Sequence, residues 1–510
     1  YFGASIDSEA FSLANSVINM IFYLISIYIS TTFIPAYVKI YNYIKEVIEN
    51  GMLPHGSKLP STREMTSMIN VSRNTIIKVY ELLEDNGLVY TEKGKGTFVS
   101  KVNINKNSDW NIDWLNKINN YAKTAEELDI MKHEQLYKKG MISFKSIAPD
   151  ESLFDMEELK RAFLNRITLE GEKILNYGYA KGYKPLIDFL MNYMKEKGVN
   201  TKGKSILITN GFTEGFDILL SSLTNRGDKI LCENPTHNTS IKLMKLHELD
   251  IIGVRINEDG IDLEDLDEKL KDNKVKLAYI IPSYHNPTGM VMSFEKREKL
   301  YSALKSHEVP IIEDGFNEEL QHLGAHIAPI AAISGEENSV IYIGSLSKIL
   351  FPGMRIGWIF GDEKLIYTLE SVKRSRNIHT SSLDQAILYE YMKSGSFEKY
   401  VKKVRNIYRE KYELAKRLCE EYIPNKFILG DGGLYLFIKL KDINARELLD
   451  RCIKREVIFT PGDIFYTNGE GLDTLRLGFS RLTLDEIEKG IKIIGEEAYS
   501  DNRVQRTIDS

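Results

Sequence analysis

The stretch that decides the fold is residues 342–358, YIGSLSKILFPGMRIGW. An apolar run leads into a short polar turn that holds Lys348, and a second apolar run, RIGWIF, follows it. Continuously apolar runs of this length are typical of strands that are buried on both faces of a sheet. A lysine between two such strands loses hydration, which favours its uncharged form. The stretch therefore predicts a buried sheet with a free lysine amine at one edge.

Runs of the same kind recur around this stretch and alternate with helical segments. They read SILIT, KILCE, IIGVRI, LAYIIPS, PIIEDG, SVIYIG and IGWIF. Strands that alternate with helices indicate βαβ units and a parallel sheet. Residues 140–495 are thus predicted to form a large, mostly parallel α/β domain. Its carboxyl-terminal part, where GLYLFIKL, VIFTPGDIFY and TLRLGFS follow a long charged helix, is predicted to be an α+β subdomain.

Length, charge and cysteine content limit the class of protein. A chain of 510 residues is too long for one core, so we expect several folding units. The formal net charge is −5, so any nucleic-acid-binding surface must be local. The three cysteines, Cys232, Cys419 and Cys452, lack the spacing of a metal site and indicate reduced thiols. We expect no metal site and a cytoplasmic location.

Polar groups fall at the predicted strand ends, where open α/β sheets bind ligands. One of these ends leads into a helix, whose first N–H groups suit a phosphate. The other ends supply an amide, a carboxylate, a hydroxyl, the lysine and two guanidiniums. The full set is Gly211, Phe212 and Thr213 at the helix start, Asn286 in HNPTG, Asp314 in IIEDG, Ser345 and Lys348 in GSLSK, Arg355, and Arg476 in TLRLGFS.

One cofactor, pyridoxal 5′-phosphate (PLP), uses all of these groups together. A lysine amine forms a Schiff base with its aldehyde, and a carboxylate keeps its pyridine nitrogen protonated. An asparagine can hydrogen-bond the ring oxygen, and a second arginine can hold a carboxylate by a bidentate pair. Taken singly, Asp314 is more often a cap, NPTG a turn and Arg476 an ion-pair partner. Their order and spacing favour the cofactor.

Residues from about 140 to 495 resemble the fold-type I, PLP-dependent aminotransferases of class I/II. The motifs that carry the resemblance are YGYAKGYKPLIDF, ILITNGFTEGFDILL, GDKILCENPTH, IPSYHNPTG, IIEDGF, VIYIGSLSKILFPGMRIGW, LYLFIKL, PGDIFY and LRLGFS. The resemblance implies that Lys348 carries the internal aldimine, that Asp314 pairs with the pyridine nitrogen and Asn286 with the ring oxygen, and that Arg476 takes a substrate carboxylate. The phosphate would be held by Gly211, Phe212, Thr213, Ser345 and Arg355.

Two positions depart from that family. His237 stands where an aromatic side chain usually stacks on the cofactor ring. Phe316 stands where, in the regulator branch of the family, a tyrosine usually hydrogen-bonds the ring oxygen. Neither change prevents PLP from binding, but both predict slow amino transfer or a half-reaction only.

Residues 35–100 read as a separate small unit. AYVKIYNYIKEVIENG has helical periodicity, STRE is a capping box that starts a second helix, and SRNTIIKVYELLEDNG is a third helix. LVYTEKGKGTFVS then predicts a β-hairpin with Lys93 and Lys95 at its tip. One face of the third helix is apolar and predicts a core, and the opposite face carries Arg73, Asn74 and Lys78.

This small unit resembles the GntR-type winged helix-turn-helix. The resemblance implies that the third helix enters a DNA major groove by its amino-terminal end. Arg73 would then contact a base or a phosphate, and Arg63 would lie on the DNA backbone. The remaining candidates are Ser72, Asn74 and Thr75 for phosphates or base edges, and Lys93 and Lys95 for the minor groove or phosphates. The alternative is a winged helix that binds another protein.

A GntR-type unit, a linker and an aminotransferase-like domain together resemble the MocR subfamily of transcription regulators. The resemblance implies a head-to-tail homodimer that binds a double-stranded operator. It also implies an amine or amino-acid effector that displaces Lys348 by forming an external aldimine. An active class I/II aminotransferase is the alternative, and a PLP-binding assembly protein is a third hypothesis.

Three segments lie outside these two domains: an apolar extension at 1–34, a polar linker at 101–139 and a tail at 496–510. The extension contains the uncharged run VINMIFYLISIYIS, so it is a candidate membrane or interfacial segment. No basic stretch precedes this run, and an extra helix packed on the body is the simpler interpretation. We expect no membrane partner, and at most a helical turn or two in the linker.

Overall fold

The computed structural model describes residues 35–101, 111–129, 140–315, 317–321 and 326–508, with side chains up to residue 500. The predicted extension at 1–34 and Phe316 lie outside the described residues. The chain divides into two units, residues 1–117 and 118–510. Each unit is built around its own core, and the two are described in turn.

The first unit contains three helices and a hairpin, in the order that the sequence predicts. Its elements are α1 (Ala36–Glu49), α2 (Thr62–Ile69), α3 (Arg73–Asp85), β1 (Val89–Glu92) and β2 (Gly96–Val99). The strands β1 and β2 are antiparallel. A third extended segment lies beside β2, because Leu59 N donates to Thr97 O at 2.9 Å and Val99 N donates to Ser57 O at 2.9 Å.

Local sequence explains where the helices of this unit begin. Ser61 and Glu64 form the predicted capping box at the start of α2: Glu64 Oε2 accepts from Ser61 N at 2.7 Å, and Ser61 Oγ accepts from Glu64 N at 3.3 Å. Ser72 caps α3 by accepting from Thr75 N at 3.2 Å. The apolar faces of the helices then meet in one core, which includes Ile44, Ile76 and Leu83.

The second unit is larger, and its helices and strands alternate over most of its length. Its helices are α4 (Asn120–Glu127), α5 (Met156–Glu170), α6 (Lys184–Glu196), α7 (Gly211–Leu223), α8 (Asn238–Leu246), α9 (Leu263–Asp272), α10 (Phe294–Ser306), α11 (Ile330–Ile333), α12 (Glu363–Arg376), α13 (Ser382–Lys393), α14 (Ser396–Tyr422), α15 (Ala445–Lys454) and α16 (Leu484–Ile508). Its strands are β3 (Ile142–Ser143), β4 (Lys204–Thr209), β5 (Lys229–Asn234), β6 (Asp250–Asn257), β7 (Gly260–Ile261), β8 (Val275–Ile280), β9 (Ile311–Asp314), β10 (Val340–Ser345), β11 (Gly357–Asp362), β12 (Asn425–Leu429), β13 (Tyr435–Leu440), β14 (Val457–Ile458), β15 (Thr460–Pro461) and β16 (Thr474–Gly478).

The main sheet has eight strands in the order β4-β11-β10-β9-β8-β5-β6-β7. The five strands from β10 to β6 are parallel to one another, whereas β11 is antiparallel to both of its neighbours. The predicted mostly parallel α/β architecture is therefore confirmed. Successive residues of a strand enter different cores: Ile206 and Ile208 belong to one cluster and Leu207 to the other. This burial on both faces explains the continuously apolar runs.

A smaller antiparallel sheet, in the order β12-β13-β16-β15, forms the predicted α+β subdomain together with the helices α14 to α16. Each of the three cysteines is free and fully buried. Among the residues that the structure describes, no helix is long and apolar enough to cross a bilayer.

The segment predicted as a polar linker contains a helix of eight residues, α4. Asn119 caps the start of this helix, because its side-chain oxygen accepts a hydrogen bond from Ala122 N at 3.0 Å. The segment contains several asparagines, so the sequence does not show which of them is the cap. The last helix, α16, runs through residue 495, where the sequence predicts a tail to begin.

Candidate functional site

The direction of β11 brings together groups that are far apart in the chain. Gly357, the first residue of β11, lies opposite Ser345 at the end of β10 and opposite Thr209 at the end of β4. Arg355 just before β11 and Gly211 just after β4 therefore meet at the same edge of the sheet. This edge is the carboxyl end of the parallel strands, where the sequence predicts a ligand.

Gly211, Ser345 and Arg355 form a cradle at the start of α7. An ideal Cβ on Gly211 would lie 2.7 Å from Nη2 of Arg355, and the glycine has a φ of +78°. Arg355 donates to Ser347 Oγ at 3.4 Å and to Asn210 O at 3.5 Å, and Ser345 Oγ accepts from Ser347 N at 3.3 Å. Helix N–H groups, hydroxyls and a guanidinium at one point are what a phosphate requires.

Glu214 holds the turn that leads into this cradle. Its carboxylate accepts from Asn210 N at 2.5 Å and from Asn210 Nδ2 at 3.2 Å. The turn therefore keeps its shape without a ligand. Asn210 and Glu214 were not predicted, whereas Ser347 stands out in the sequence as the second serine of the SLSK signal.

Lys348 is partly buried beside two guanidiniums. Burial, together with the charges of Arg476 and Arg355, lowers the pKa of its amine to about 8. An ammonium in this place loses hydration and is repelled, so a larger share of the amine is unprotonated at neutral pH than in an ordinary lysine. The structure thus gives Lys348 the property that Schiff-base formation needs.

Asp314 ends β9 and is 5% exposed. Burial raises the pKa of this carboxyl to about 7, while the hydroxyl of Tyr279, which donates to Oδ2 at 2.8 Å, lowers it. A cationic ring nitrogen next to the other oxygen would offset the burial, since an opposite charge stabilises a buried carboxylate. This contact of Tyr279 was not predicted, because Tyr279 lies inside a buried strand and looks in the sequence like any other tyrosine of the core.

Asn286 and Arg476 are in contact. Arg476 Nη1 donates to Asn286 Oδ1 at 2.8 Å, and Nη2 donates to Lys145 O at 3.5 Å. Nε of Arg476 is buried without a hydrogen-bond partner, and burial lowers the pKa of the guanidinium to about 10. Among the described residues no carboxylate lies within ion-pair distance of Arg476. A buried, incompletely bonded guanidinium fits a ligand carboxylate.

His237 lies in the same electrostatic cluster. Burial lowers the pKa of its imidazole to about 3, and the positive charges of Lys348 and Arg476 act in the same direction. Its ring centroid is 5.5 Å from that of Phe212, and Nδ1 is 3.3 Å from Ser240 Oγ. A low pKa means that the imidazole carries no charge at neutral pH.

Two predicted residues contribute less than their side chains suggest. The ring of Phe212 stacks on Phe216 with centroids 5.5 Å apart, so its side chain is packed among aromatic rings and only its main-chain N–H is of a kind that can bind a phosphate. Thr213 is exposed in the first turn of α7. In the described residues, no three His, Cys, Asp or Glu side chains are placed to hold a metal ion.

The second candidate site is the surface at the start of α3 in the first unit. Ser72, Arg73 and Asn74 are exposed there, and Arg63 is exposed in the first turn of α2. Thr75 is partly buried, and its Oγ1 is 2.8 Å from Ser72 Oγ. One exposed end of one helix thus carries a cation, an amide and a hydroxyl, which suits contact with a DNA groove.

The hairpin tip carries two exposed lysines, of which one is paired with a carboxylate and the other is not. Lys93 is exposed and has no carboxylate partner among the described residues. Lys95 is also exposed, but its Nζ lies 2.9 Å from Glu92 Oε2. Only Lys93 is thus immediately available to a phosphate.

Comparisons with known proteins match both units. Residues 146–494 match the family model described as aminotransferase class I and II, and residues 36–99 match the model described as bacterial regulatory proteins, gntR family. The HTH-type transcriptional regulator YdfD of Bacillus subtilis is 29% identical over 473 residues, which cover 91% of this chain and 96% of that protein. An aminotransferase of Saccharolobus solfataricus is 31% identical over 385 residues, which cover 74% of this chain and 95% of that protein.

A solved structure shares the fold of the larger unit. It is the kynurenine aminotransferase of Pyrococcus horikoshii in complex with PMP, with a TM-score of 0.70 and 28% identity over 77% of this chain and 98% of that one. The regulator extends over both units of this chain, whereas the two aminotransferases match about three quarters of it.

Proposed function

The chain belongs to the class I and II aminotransferase family and carries a gntR-family domain before the aminotransferase domain. We propose that it is a PLP-dependent transcription regulator that responds to an amine or an amino acid. Residues 35–100 would bind DNA and residues 140–495 would bind the cofactor and the effector. The observation that carries the proposal is the free-amine environment of Lys348, between Arg355 and Arg476, in a chain that also presents a winged helix.

The residues of the larger unit fit the cofactor. The cradle at Gly211, Ser345 and Arg355 would hold its phosphate, and Asp314 would pair with its ring nitrogen. His237 would lie against the ring, and Asn286 would be close to the ring oxygen. Bound there, PLP supplies an aldehyde that links reversibly to one amine at a time, so that an effector amine competes with Lys348.

Arg476 would select effectors that carry a carboxylate. Its buried Nε has no hydrogen-bond partner, and its contact with Asn286 couples an incoming carboxylate to the residue nearest the ring oxygen. An effector amine that replaced Lys348 at the aldehyde would leave the lysine amine buried beside Arg355 and Arg476, where an ammonium is destabilised. Two states with different contacts at Lys348 and Arg476 are what an effector needs in order to shift an equilibrium.

We also propose that the protein is a cytoplasmic homodimer. Large apolar side chains are exposed on the larger unit, including Leu169 at 69%, Leu175 at 68%, Tyr177 at 79% and Tyr179 at 82%. Such a group is more than isolated surface residues account for, and it supports association with a second copy. A dimer would also bring two winged helices to two half-sites of one operator.

The variant Lys348→Ala tests the sensor. We expect it to lose the visible absorbance that PLP gives to the wild type, to retain DNA binding, and to lose any change in DNA affinity when amino acids are added. The matched control is Lys364→Ala, an exposed lysine of α12, which should behave as the wild type. An unchanged absorbance in Lys348→Ala would refute the assignment.

The variant Arg73→Ala tests the DNA surface. If Arg73 contacts a base, its loss should weaken operator binding by about 1–3 kcal/mol while cofactor absorbance stays intact. An unchanged affinity would remove Arg73 from the interface.

The second candidate function is amino transfer, which the 31% identity to an aminotransferase favours. We expect slow turnover or a half-reaction, because a histidine replaces the usual aromatic ring at position 237. Sustained turnover at about 1–1000 per second in a steady-state assay would establish an enzyme instead.

A further inference from the structure

Lys58 lies beside the hairpin of the first unit. Its backbone forms an antiparallel bridge with Phe98 of β2. The flanking hydrogen bonds, from Leu59 N to Thr97 O and from Val99 N to Ser57 O, fix this register. Lys58 therefore occupies a defined position on a short third strand of the hairpin.

The side chain of Lys58 runs towards the hairpin tip. An ideal Cβ on Gly96 would lie 2.8 Å from Cε and 3.6 Å from Nζ of Lys58. Gly96 is two residues closer to the tip than Phe98 and lies on the same face of the strand. The Lys58 side chain therefore packs diagonally across the hairpin, over the position where Gly96 has no side chain. The amine thus extends towards the segment that carries Lys93.

Lys58 is exposed and has no carboxylate within ion-pair distance among the described residues. Glu64 lies within electrostatic reach, but its carboxylate is held in the capping box by Ser61 N at 2.7 Å. Lys95, by contrast, already pairs with Glu92 at 2.9 Å and must leave this partner to contact DNA. An unpaired, oriented ammonium is the better phosphate ligand of the two, because no existing contact has to break.

We propose that Lys58 is a phosphate-contacting residue of the DNA interface, and that it contributes more to binding than Lys95 at the hairpin tip. This inference rests on the proposed DNA-binding function and adds to it a residue from outside the helix-turn-helix and the tip. Together with Lys93 at the tip, Lys58 gives the hairpin two exposed lysines that have no carboxylate partner among the described residues. These two cations neutralise phosphates without reading bases.

The test measures the affinity of the full chain, loaded with PLP, for a mixed-sequence DNA duplex over a range of salt concentrations. Neutralising one phosphate contact lowers the slope of log affinity against log salt by about 0.9. We expect this loss in Lys58→Gln, with severalfold weaker binding at low salt, and a smaller loss in Lys95→Gln. Lys58→Arg should retain the wild-type slope.

The matched control is Lys45→Gln. Lys45 is half-exposed on α1 and its Nζ lies 3.8 Å from Glu49 Oε1, so its loss removes the same charge from the same unit away from the hairpin. Its slope should equal that of the wild type. If the wild type binds DNA and Lys58→Gln has an unchanged slope, or one lowered no more than that of Lys95→Gln, the inference is wrong. If the wild type does not bind DNA at all, the proposed function fails as well.

Discussion

Replacing Gly211 by alanine should weaken binding of the cofactor phosphate. The residue has a φ of +78°, and a Cβ there would lie 2.7 Å from Nη2 of Arg355, so the guanidinium has to move away from the cradle. The left-handed backbone costs an alanine about 1–2 kcal/mol of folding stability. A hydrogen bond to a charged group contributes about 1.5–3 kcal/mol. Because Arg355 is exposed, we take the lower value, which corresponds to about tenfold in Kd.

A control separates the two costs of this change. Gly203 also has a positive φ, +68°, but no atom lies within 4 Å of its ideal Cβ. Gly203→Ala should therefore lose a similar free energy of unfolding and bind PLP as the wild type does. The assay is a titration followed by absorbance with PLP and, separately, with pyridoxal, which lacks the phosphate. If Gly211→Ala binds PLP within twofold of the wild type, or loses pyridoxal to the same extent, the phosphate cradle is assigned wrongly.

Three further predictions concern the lysine, the buried arginine and the first unit. The rate at which Lys348 captures PLP should rise with pH and level off above about pH 8, the pKa of its amine. At pH 7 about one-tenth of such an amine is unprotonated, whereas for a lysine of pKa 10.5 the unprotonated share is about 0.03%. A midpoint near pH 10 in stopped-flow absorbance would contradict this prediction. Arg476→Met should weaken amino acids by about 10- to 150-fold in binding isotherms and leave amines without a carboxylate unchanged, whereas equal losses would show that Arg476 does not hold the carboxylate. Ser61→Ala should destabilise α2 by about 1 kcal/mol, seen as roughly fivefold faster amide exchange in that helix, and the exposed Ser67→Ala on the same helix should change nothing.

The sheet and the order of the helices follow from local patterns, and these were predictable. All seven apolar runs became strands of the main sheet, and six of them are mostly buried because burial on both faces removes the need for alternation; the seventh, β6, has one buried residue, Val254. The capping box and the hairpin of the first unit depend on neighbouring residues only, so STRE and KGKG were sufficient to place them.

Contacts between distant segments were not predictable from the sequence alone. The spacing of Lys348 and Arg355 was visible, but the meeting of Arg355 with Gly211 depends on the antiparallel direction of β11. The contact between Arg476 and Asn286 joins residues 190 positions apart and depends on how the smaller sheet packs on the larger one. The two turns of α4 fit the expected helical turn or two of the linker, but the bounds of this helix were not predicted, because its cap is one asparagine in a polar stretch that has no apolar face.

The burial of every native thiol makes this chain convenient for fluorescence work. Cys232, Cys419 and Cys452 are fully buried, and burial raises the pKa of each thiol. Maleimide dyes react with thiolates, so the native cysteines should stay unlabelled in the folded protein. Ser67→Cys in the first unit and Thr368→Cys in the second, both at exposed positions, would then accept a donor and an acceptor dye without a cysteine-free background. Energy transfer between the two dyes would follow any movement that an amino acid induces, in the otherwise native protein.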